Sequence, residues 1–475
     1  MRSDRREPEG RCVGRTGTAV RLALWLAAAC VPLVAGCGEE ASDAFDTRPV
    51  GTLEDVAGLA DRDDLNVIFV LIDTLRADRM GSYGYERATT PVLDYFAATG
   101  LRFAEHRAQS SWTKTSMASL WTGLYPQRTD VLNYADTLAP AATLPAEIFE
   151  RAGFKTAGIW RNGWVAPNFG FNQGFDYYIT PSARLAPSAL RQKAVAGRID
   201  GTDIDAIYTA IEFLRANRDQ RFFLYMHLMD VHQYISTEDT AIFGNTYSDA
   251  YDNAVRWTDE QLGQLMAELF RLSLAEKTLV VFASDHGEAF GEHGSEGHAR
   301  DVHYEAVVTP FILSFPFKLT PGIVVPEPTE NIDVWPTILE LVGLESLPEA
   351  DGKSRAGWLI GDRTAEAAPV GISHLDRSWG QPKLDPNPII GVQEGPYRLI
   401  HDAGDPTKDR LYNVEKDRLE SVDMARDGGD TLAKLQDRAK LYLQGKTPWE
   451  GGAPEIELDD LHLRQLRALG YSIEE

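Results

Sequence analysis

The chain is poor in cysteine. Its 475 residues hold three, at positions 12, 30 and 37, so a disulfide framework of the kind that staples small secreted domains is excluded. Positive charge is also scarce: 47 Lys and Arg stand against 71 Asp and Glu, a formal charge of −24. A surface of that sign repels nucleic acid and anionic lipid, which argues against a DNA- or RNA-binding role. An anionic substrate then requires a local positive site, and a bound metal is the obvious source. Internal repeats and long low-complexity tracts are missing, which excludes solenoids and arrays. The apolar run near the N-terminus, Leu22 to Gly36, has fifteen residues, too short for a comfortable membrane span.

That run follows six arginines in residues 1–21 and ends in Val34-Ala35-Gly36-Cys37. Small residues directly before a Cys resemble the bacterial lipobox, in which the Cys is lipidated and becomes the first mature residue; an ordinary signal peptide that contains a Cys is the alternative. Residues 1–36 are accordingly predicted to be a lipoprotein signal peptide and Cys37 the lipidation site. The expected location is the cell envelope, in the periplasm or attached to the outer membrane. Without the first 36 residues, which hold six Arg against three acids, the charge is −27. One Cys then remains, so the fold must be held by its core, which a chain of this length can build. Residues 37–63 are acidic and small, and are predicted to tether the anchor to a domain.

The domain itself is organised around Asn66-Val67-Ile68-Phe69-Val70-Leu71-Ile72-Asp73-Thr74. A β-branched apolar run of this length suits a strand buried on both faces, as in a parallel sheet. The arrangement returns 212 residues later, where Thr278 to Ser284 runs into Asp285-His286-Gly287. Further strands are predicted at 101–106, 154–160, 222–226 and 311–315. Helices are predicted from Thr90-Pro91 to about 98, then at 143–153, 202–217, 249–274 and 332–342. Strands alternating with helices make a doubly wound, mostly parallel α/β sheet the expected fold, over residues 64–362. From about 363 to 475 the pattern changes to short strands, turns and a helix at about 430–443, followed by the terminal segment. This reads as a smaller C-terminal α+β subdomain.

In open α/β sheets chemistry sits just past the carboxyl ends of the strands. One Asp there is equally a turn cap. Asp73 together with Asp285-His286 would instead build a site for a hard or borderline cation. Six of the ten histidines lie in two short segments, His227 and His232, then His286, His293, His298 and His303, and this clustering favours a site. Residues 114–121 favour a helix with Thr113 as N-cap, which would set its hydroxyl among free N–H groups, a natural anion site; an ordinary cap reads the same way. Lys114 would add positive field, and Arg161-Asn162, after a strand, could reach a substrate. Trp112, Trp121, Trp160 and Trp164 could line a cleft or fill the core. Arg76 and Asp78 could pair to hold the first loop.

Several segments together resemble the sulfatase family of the alkaline-phosphatase superfamily. They are Leu71 to Asp78, Gly81-Ser82-Tyr83-Gly84-Tyr85, Ser119 to Pro126, Ser284-Asp285-His286-Gly287-Glu288 and Gly291-Glu292-His293-Gly294, with weaker echoes at 171–176, 333–337, 351–354 and 411–417. The resemblance runs in order over roughly 64–445. It implies metal ligands at Asp73, Asp285 and His286 for one divalent cation, Ca²⁺ by family, with Mg²⁺, Mn²⁺ or Zn²⁺ as alternatives. It implies a nucleophile at Thr113 and ester and leaving-group contacts from His232 and His298; apart from the resemblance, Lys114, His227 and Asn162 are expected to contact the substrate.

Two departures matter. The Cys/Ser-x-Pro/Ala-x-Arg signature that matures to formylglycine reads Thr113-Lys114-Thr115-Ser116-Met117 here, so no formylglycine is expected. The second carboxylate of the usual Asp-Asp pair is Thr74. A formylglycine hydrate sheds sulfate by eliminating to the aldehyde, an exit that a threonine ester lacks. A phosphothreonine can be displaced by in-line water. The expectation is therefore a metal-dependent hydrolase of sulfate or phosphate esters leaning to phosphate mono- and diesters. The alternatives are an envelope phospho-group transferase or a non-catalytic binding lipoprotein on the same scaffold.

Overall fold

The computed structural model describes residues 46–183, 185–187, 201–361, 370–380 and 384–457. The segment 1–36 predicted as a signal peptide, Cys37 and the terminal segment from 458 lie outside the described residues.

Eight strands form the central sheet: β1 (Asn66–Ile72), β2 (Leu101–Phe103), β3 (Lys155–Ile159), β4 (Tyr177–Ile179), β5 (Phe222–Leu228), β6 (Thr278–Ala283), β7 (Phe311–Ser314) and β8 (Ile323–Val325). Their order is β8-β2-β7-β6-β1-β5-β3-β4. Every pairing is parallel except those of β7, which runs against both β6 and β2. All seven residues of β1 are buried. Because successive side chains alternate between faces, Val67, Phe69 and Leu71 join one core while Ile68, Val70 and Ile72 join another.

The first core contains apolar residues of three helices, α2 (Thr113–Thr122), α3 (Pro145–Arg151) and α6 (Asn331–Leu341). The second contains those of α1 (Pro91–Thr99), α4 (Asp203–Asn217) and α5 (Tyr247–Arg271). The sheet is thus covered on both faces, as the strand–helix alternation predicts. Among the described residues no helix is long and apolar enough to cross a membrane.

A second, antiparallel sheet follows, with β9 (Gly371–Asp376), β10 (Pro388–Glu394), β11 (Tyr397–Asp402) and β12 (Arg410–Asn413) in that order. One face packs on α7 (Gly429–Tyr442) through Ile390, Val392, Leu399 and Leu435. From the other, Leu375, Ile389 and Ile400 enter the main core. Arg398, fully buried, pairs with Glu420 at 3.0 Å and donates to the Val302 carbonyl at 2.7 Å. The smaller sheet is therefore bolted to the loop that precedes β7.

The tether reading of 37–63 is corrected from residue 46 onward. Asp46 and Arg48 form a buried ion pair, and Arg48 also donates to Ser314 Oγ at 2.7 Å and the Phe315 carbonyl at 2.8 Å. A short helix, Leu53–Ala57, carries Val56 into the main core. Acidic composition described the solvent face of this segment but not the local pairing that lets Asp46 be buried.

Candidate active site

The registers of β1 bring the chemistry together. Leu71 lies level with His227 on one side and Ala283 on the other, so Asp73, His227 and Asp285-His286 all emerge at one edge of the sheet. The chain turns sharply after Asp73: Thr74 has φ 61, a backbone state that a β-branched residue rarely holds. Its N–H donates to Asp285 Oδ1 at 3.2 Å, its hydroxyl to the Asp73 carbonyl at 2.6 Å, and its own carbonyl accepts from Tyr251. Thr74 here therefore ties the two strand ends together.

Each carboxylate has one oxygen held by protein donors and one left over. Asp73 Oδ2 accepts from Asn162 Nδ2 at 2.7 Å and His227 Nε2 at 2.9 Å, whereas Oδ1 is buried without a partner. Asp285 Oδ1 accepts from the N–H groups of Thr74 and His286, whereas Oδ2 is likewise buried and unpartnered. His286 Nε2 lies 3.3 Å from that Oδ2 and 3.9 Å from Asp73 Oδ1. Its Nδ1 faces the Gly287 carbonyl at 3.0 Å; a carbonyl can only accept, so Nδ1 carries the proton and Nε2 presents a lone pair. Among the described residues this is the group whose ligand atoms all lie within 4.8 Å of one another. Two orphan carboxylate oxygens and a lone pair facing one point, all fully buried, fit a divalent cation and little else, since unpaired buried charge is costly.

The hydroxyl of Thr113 completes the cluster, with Oγ1 3.0 Å from His286 Nε2 and 3.4 Å from Asn162 Nδ2. Helix α2 begins at Thr113 itself and Trp112 is its N-cap; Thr113 does not cap, because its oxygen is committed to the site. On the next turn Ser116 Oγ donates to the Asp285 carbonyl at 2.6 Å, and Asn331 holds the same carbonyl from α6. The helix and the β6 end are thus locked in register. Gly123 ends α2 with φ 68, the left-handed state that suits glycine. Gly287 sits where a Cβ would come 2.1 Å from the Glu305 carbonyl, which explains a glycine directly after His286.

The electrostatics are divided. Burial opposes the charge of Asp73, but His232, His227 and His286 outweigh it and hold its carboxyl below the usual range. Burial and the neighbouring Asp73 charge push Asp285 up. Burial lowers His232 to about 4, so it is neutral at pH 7. Burial also opposes the charge of His298, but Glu288, whose Oε2 lies 3.0 Å from His298 Nδ1, raises it above its ordinary value. The rings of His232 and His298 are 4.9 Å apart, and His298 is 4.8 Å from His286.

Three predicted residues, Lys114, His227 and Arg161, lie elsewhere or act otherwise. Lys114 does not face the site: it is fully buried, donates to the Asn133 and Tyr134 carbonyls, and stands 4.0 Å over the Phe169 ring beside Trp164. One helical residue beyond Thr113 is a rotation of about 100°, which turns it away. His227 is not a substrate contact, because Tyr225 takes its Nδ1 and Asp73 its Nε2; it buttresses Asp73. Arg161 is bound by a pair of buried aspartates, Asp203 and Asp230. Trp112, Trp121 and Trp164 are core, and Trp160 stacks on Tyr178. The Arg76–Asp78 pair is present at 2.7 Å, with Glu292 as a further partner. Glu288 was legible only as part of a motif; no spacing shows that it meets His298.

His293 and His303 also leave the cluster and stack on each other, centroids 4.1 Å apart, against the C-terminal subdomain. Burial opposes the charge of His293, but Glu305 and the Glu420 carbonyl outweigh it and raise its pKa to about 9. That folded value exceeds the unfolded one of about 6.5, so the stabilisation is complete below about pH 6.5 and fades as pH rises through about 9. Thermal melts of wild type should decline over that window more steeply than those of His293→Gln; parallel curves would show that the pair contributes nothing.

An α/β sheet with two carboxylates, an imidazole and a helix-borne hydroxyl at its carboxyl edge defines the class: the metal-site proteins of the alkaline-phosphatase superfamily. The sulfatase family model matches residues 65–344, more than half of the chain, and a model described as N-sulphoglucosamine sulphohydrolase, C-terminal, matches residues 291–444. The chain belongs to the sulfatase family. It is 25% identical to mouse (Mus musculus) steryl-sulfatase over 408 residues, a match that spans 62% of this chain and 65% of that one. In fold it is similar to a Bacteroides thetaiotaomicron protein classed as a sulfatase (TM-score 0.66, 18% identity, 80% of this chain and 92% of the other). It is also similar to the phosphonate monoester hydrolase of Agrobacterium radiobacter (TM-score 0.64, 19% identity, 80% and 95%).

Proposed function

We propose that the protein is a metal-dependent hydrolase of anionic esters with Thr113 as nucleophile, acting on phosphate mono- or diesters in preference to sulfate esters. The observation that carries this reading is the position of Thr113 Oγ1, 3.0 Å from His286 Nε2 at the first turn of α2. Asp73, Asp285 and His286 would hold the cation, which when bound supplies Lewis acidity to the hydroxyl and to the ester oxygens. Thr113 releases its hydroxyl proton to solvent and attacks phosphorus as the bond to the leaving oxygen breaks, forming a phosphothreonine, and the α2 N–H groups face the developing charge. His298, whose imidazole Glu288 holds above its ordinary pKa, gives its proton to the leaving oxygen. His232, neutral, takes a proton from the water that then displaces the threonine, whose oxygen regains a proton from solvent.

Phosphorus is favoured over sulfur by residue identity at 113. A threonine ester has no elimination route to an aldehyde, so discharge needs a second attack at the central atom. As part of the same proposal, Cys37 anchors the enzyme to an envelope membrane, on the strength of the Val34-Ala35-Gly36-Cys37 segment. The test compares turnover of 4-nitrophenyl phosphate, its phosphodiester and its sulfate, with Ca²⁺, Mg²⁺, Mn²⁺ or Zn²⁺ added in turn. Faster metal-dependent hydrolysis of a phosphate ester is expected. Turnover of the sulfate alone would reverse the preference, and turnover of none would leave only binding roles.

A further inference from the structure

The network behind the site is built around Arg161. Its guanidinium is 6% exposed and sits between Asp203 and Asp230, whose side chains are fully buried. Nη1 donates to Asp203 Oδ1 and, at 2.6 Å, to Asp230 Oδ1, while Nη2 donates to Gln233 Oε1 at 2.9 Å. Three chain segments therefore share one cation: the end of β3, the first turn of α4, and the loop after β5.

The two aspartates are themselves cross-bonded. Asp203 accepts the N–H groups of Met229 and Asp230, both at 2.8 Å, and Asp230 accepts that of Asp203 at 3.1 Å. Trp257 Nε1 holds the remaining Asp230 oxygen at 2.9 Å. This leaves the 229–233 loop little freedom. His232 is on that loop, next to Gln233. Asn162, which reaches both Asp73 and Thr113, is the residue directly after Arg161 and faces the opposite way.

We propose that Arg161 is a positioning residue that fixes the separation between Asn162, on the nucleophile side of Asp73, and His232, on the water side. Two buried carboxylates need a fork that can bond both and still reach Gln233; a guanidinium does this, and an ammonium, a point charge with a shorter reach, does not. The inference deepens the hydrolase reading and rests on it for the roles of the two residues, though not for the placement itself.

Placement can be read without substrate. In ¹⁵N-labelled protein, Arg161→Lys should shift the side-chain amide resonances of Asn162 and the imidazole resonances of His232, each assigned by its own substitution. Gln233→Ala, which removes a single 2.9 Å contact, should shift His232 and keeps the question answerable if Arg161→Lys does not fold. In turnover, Arg161→Lys should lower kcat by about 10-fold or more, as a displacement well under 1 Å can do, with KM changed less than about 3-fold. The fraction of Thr113 trapped as its phosphate ester on acid quench should rise, since the water step suffers most. A general loss of structure would not raise it. Unshifted resonances in both variants, or an unchanged kcat, would overturn the role of Arg161. If wild type turns over no ester, the hydrolase reading fails, and the resonances alone decide the positioning.

Discussion

Thr113→Ala is expected to abolish ester hydrolysis while leaving fold and metal content intact. The side chain removed is small, fully buried and bonded to His286 and Asn162, and the Ser116–Asp285 lock is made by other atoms, so the helix survives. Removing a nucleophile that works as one unit with its acid and its metal costs about 10³-fold or more in kcat, as triad knockouts show. Thr113→Ser keeps the hydroxyl and should retain activity, with modest loss because the lost methyl no longer sets the rotamer. Peptide mapping after acid quench with a phosphate ester should find the modification on residue 113 in wild type and nowhere in Thr113→Ala. Equal rates for wild type and Thr113→Ala would remove Thr113 from the mechanism, whichever ester is used.

Asp285→Asn should remove most of the metal's stabilising effect while raising the stability of the metal-free protein. In wild type, two unpartnered carboxylate oxygens face each other in a fully buried space, an arrangement that repels itself until a cation arrives. A metal at about 100 times its Kd adds ~2.7 kcal/mol of stability, so a chelator should lower the thermal midpoint by a few degrees. The substitution keeps an oxygen for the Thr74 and His286 N–H groups. It replaces the second oxygen with an amide nitrogen able to donate to Asp73 Oδ1. Metal affinity should therefore fall at least about 100-fold, beyond the effect of losing an outer support, yet the metal-free variant should melt above metal-free wild type. Calorimetry with and without chelator checks both halves. If the two proteins respond alike to metal, the three residues are not its ligands.

The reach of sequence reasoning differed from element to element. β1, β5 and β6 were legible because buried parallel strands need unbroken apolar runs, and each such run ended in Asp or His. The pairing of His227 with Asp73, by contrast, depends on the register of β5 against β1, which no local pattern reveals. Thr113 was placed by its motif, but Lys114 was misjudged: its aromatic box is assembled with Trp164 and Phe169, some 50 residues on. Four of the six clustered histidines stand at the site, His227 on Asp73 and three more around it. His232, His286 and His298 converge, while His293 and His303 stack against the smaller sheet, because a loop that doubles back on itself can send neighbours to different faces.

By itself, then, the sequence determined the strand–helix alternation, the carboxylates at the strand ends, a threonine where a formylglycine precursor would stand, and the family. These are readable because local pattern dictates burial and because reaction chemistry depends on residue type. Only the tertiary structure decided which oxygen of each carboxylate is left over, that Glu288 meets His298, and that Arg161 pairs with Asp203 and Asp230. Such facts are set by directions and distances between segments far apart in the chain, and direction is a property that a side chain acquires only once its neighbours are packed.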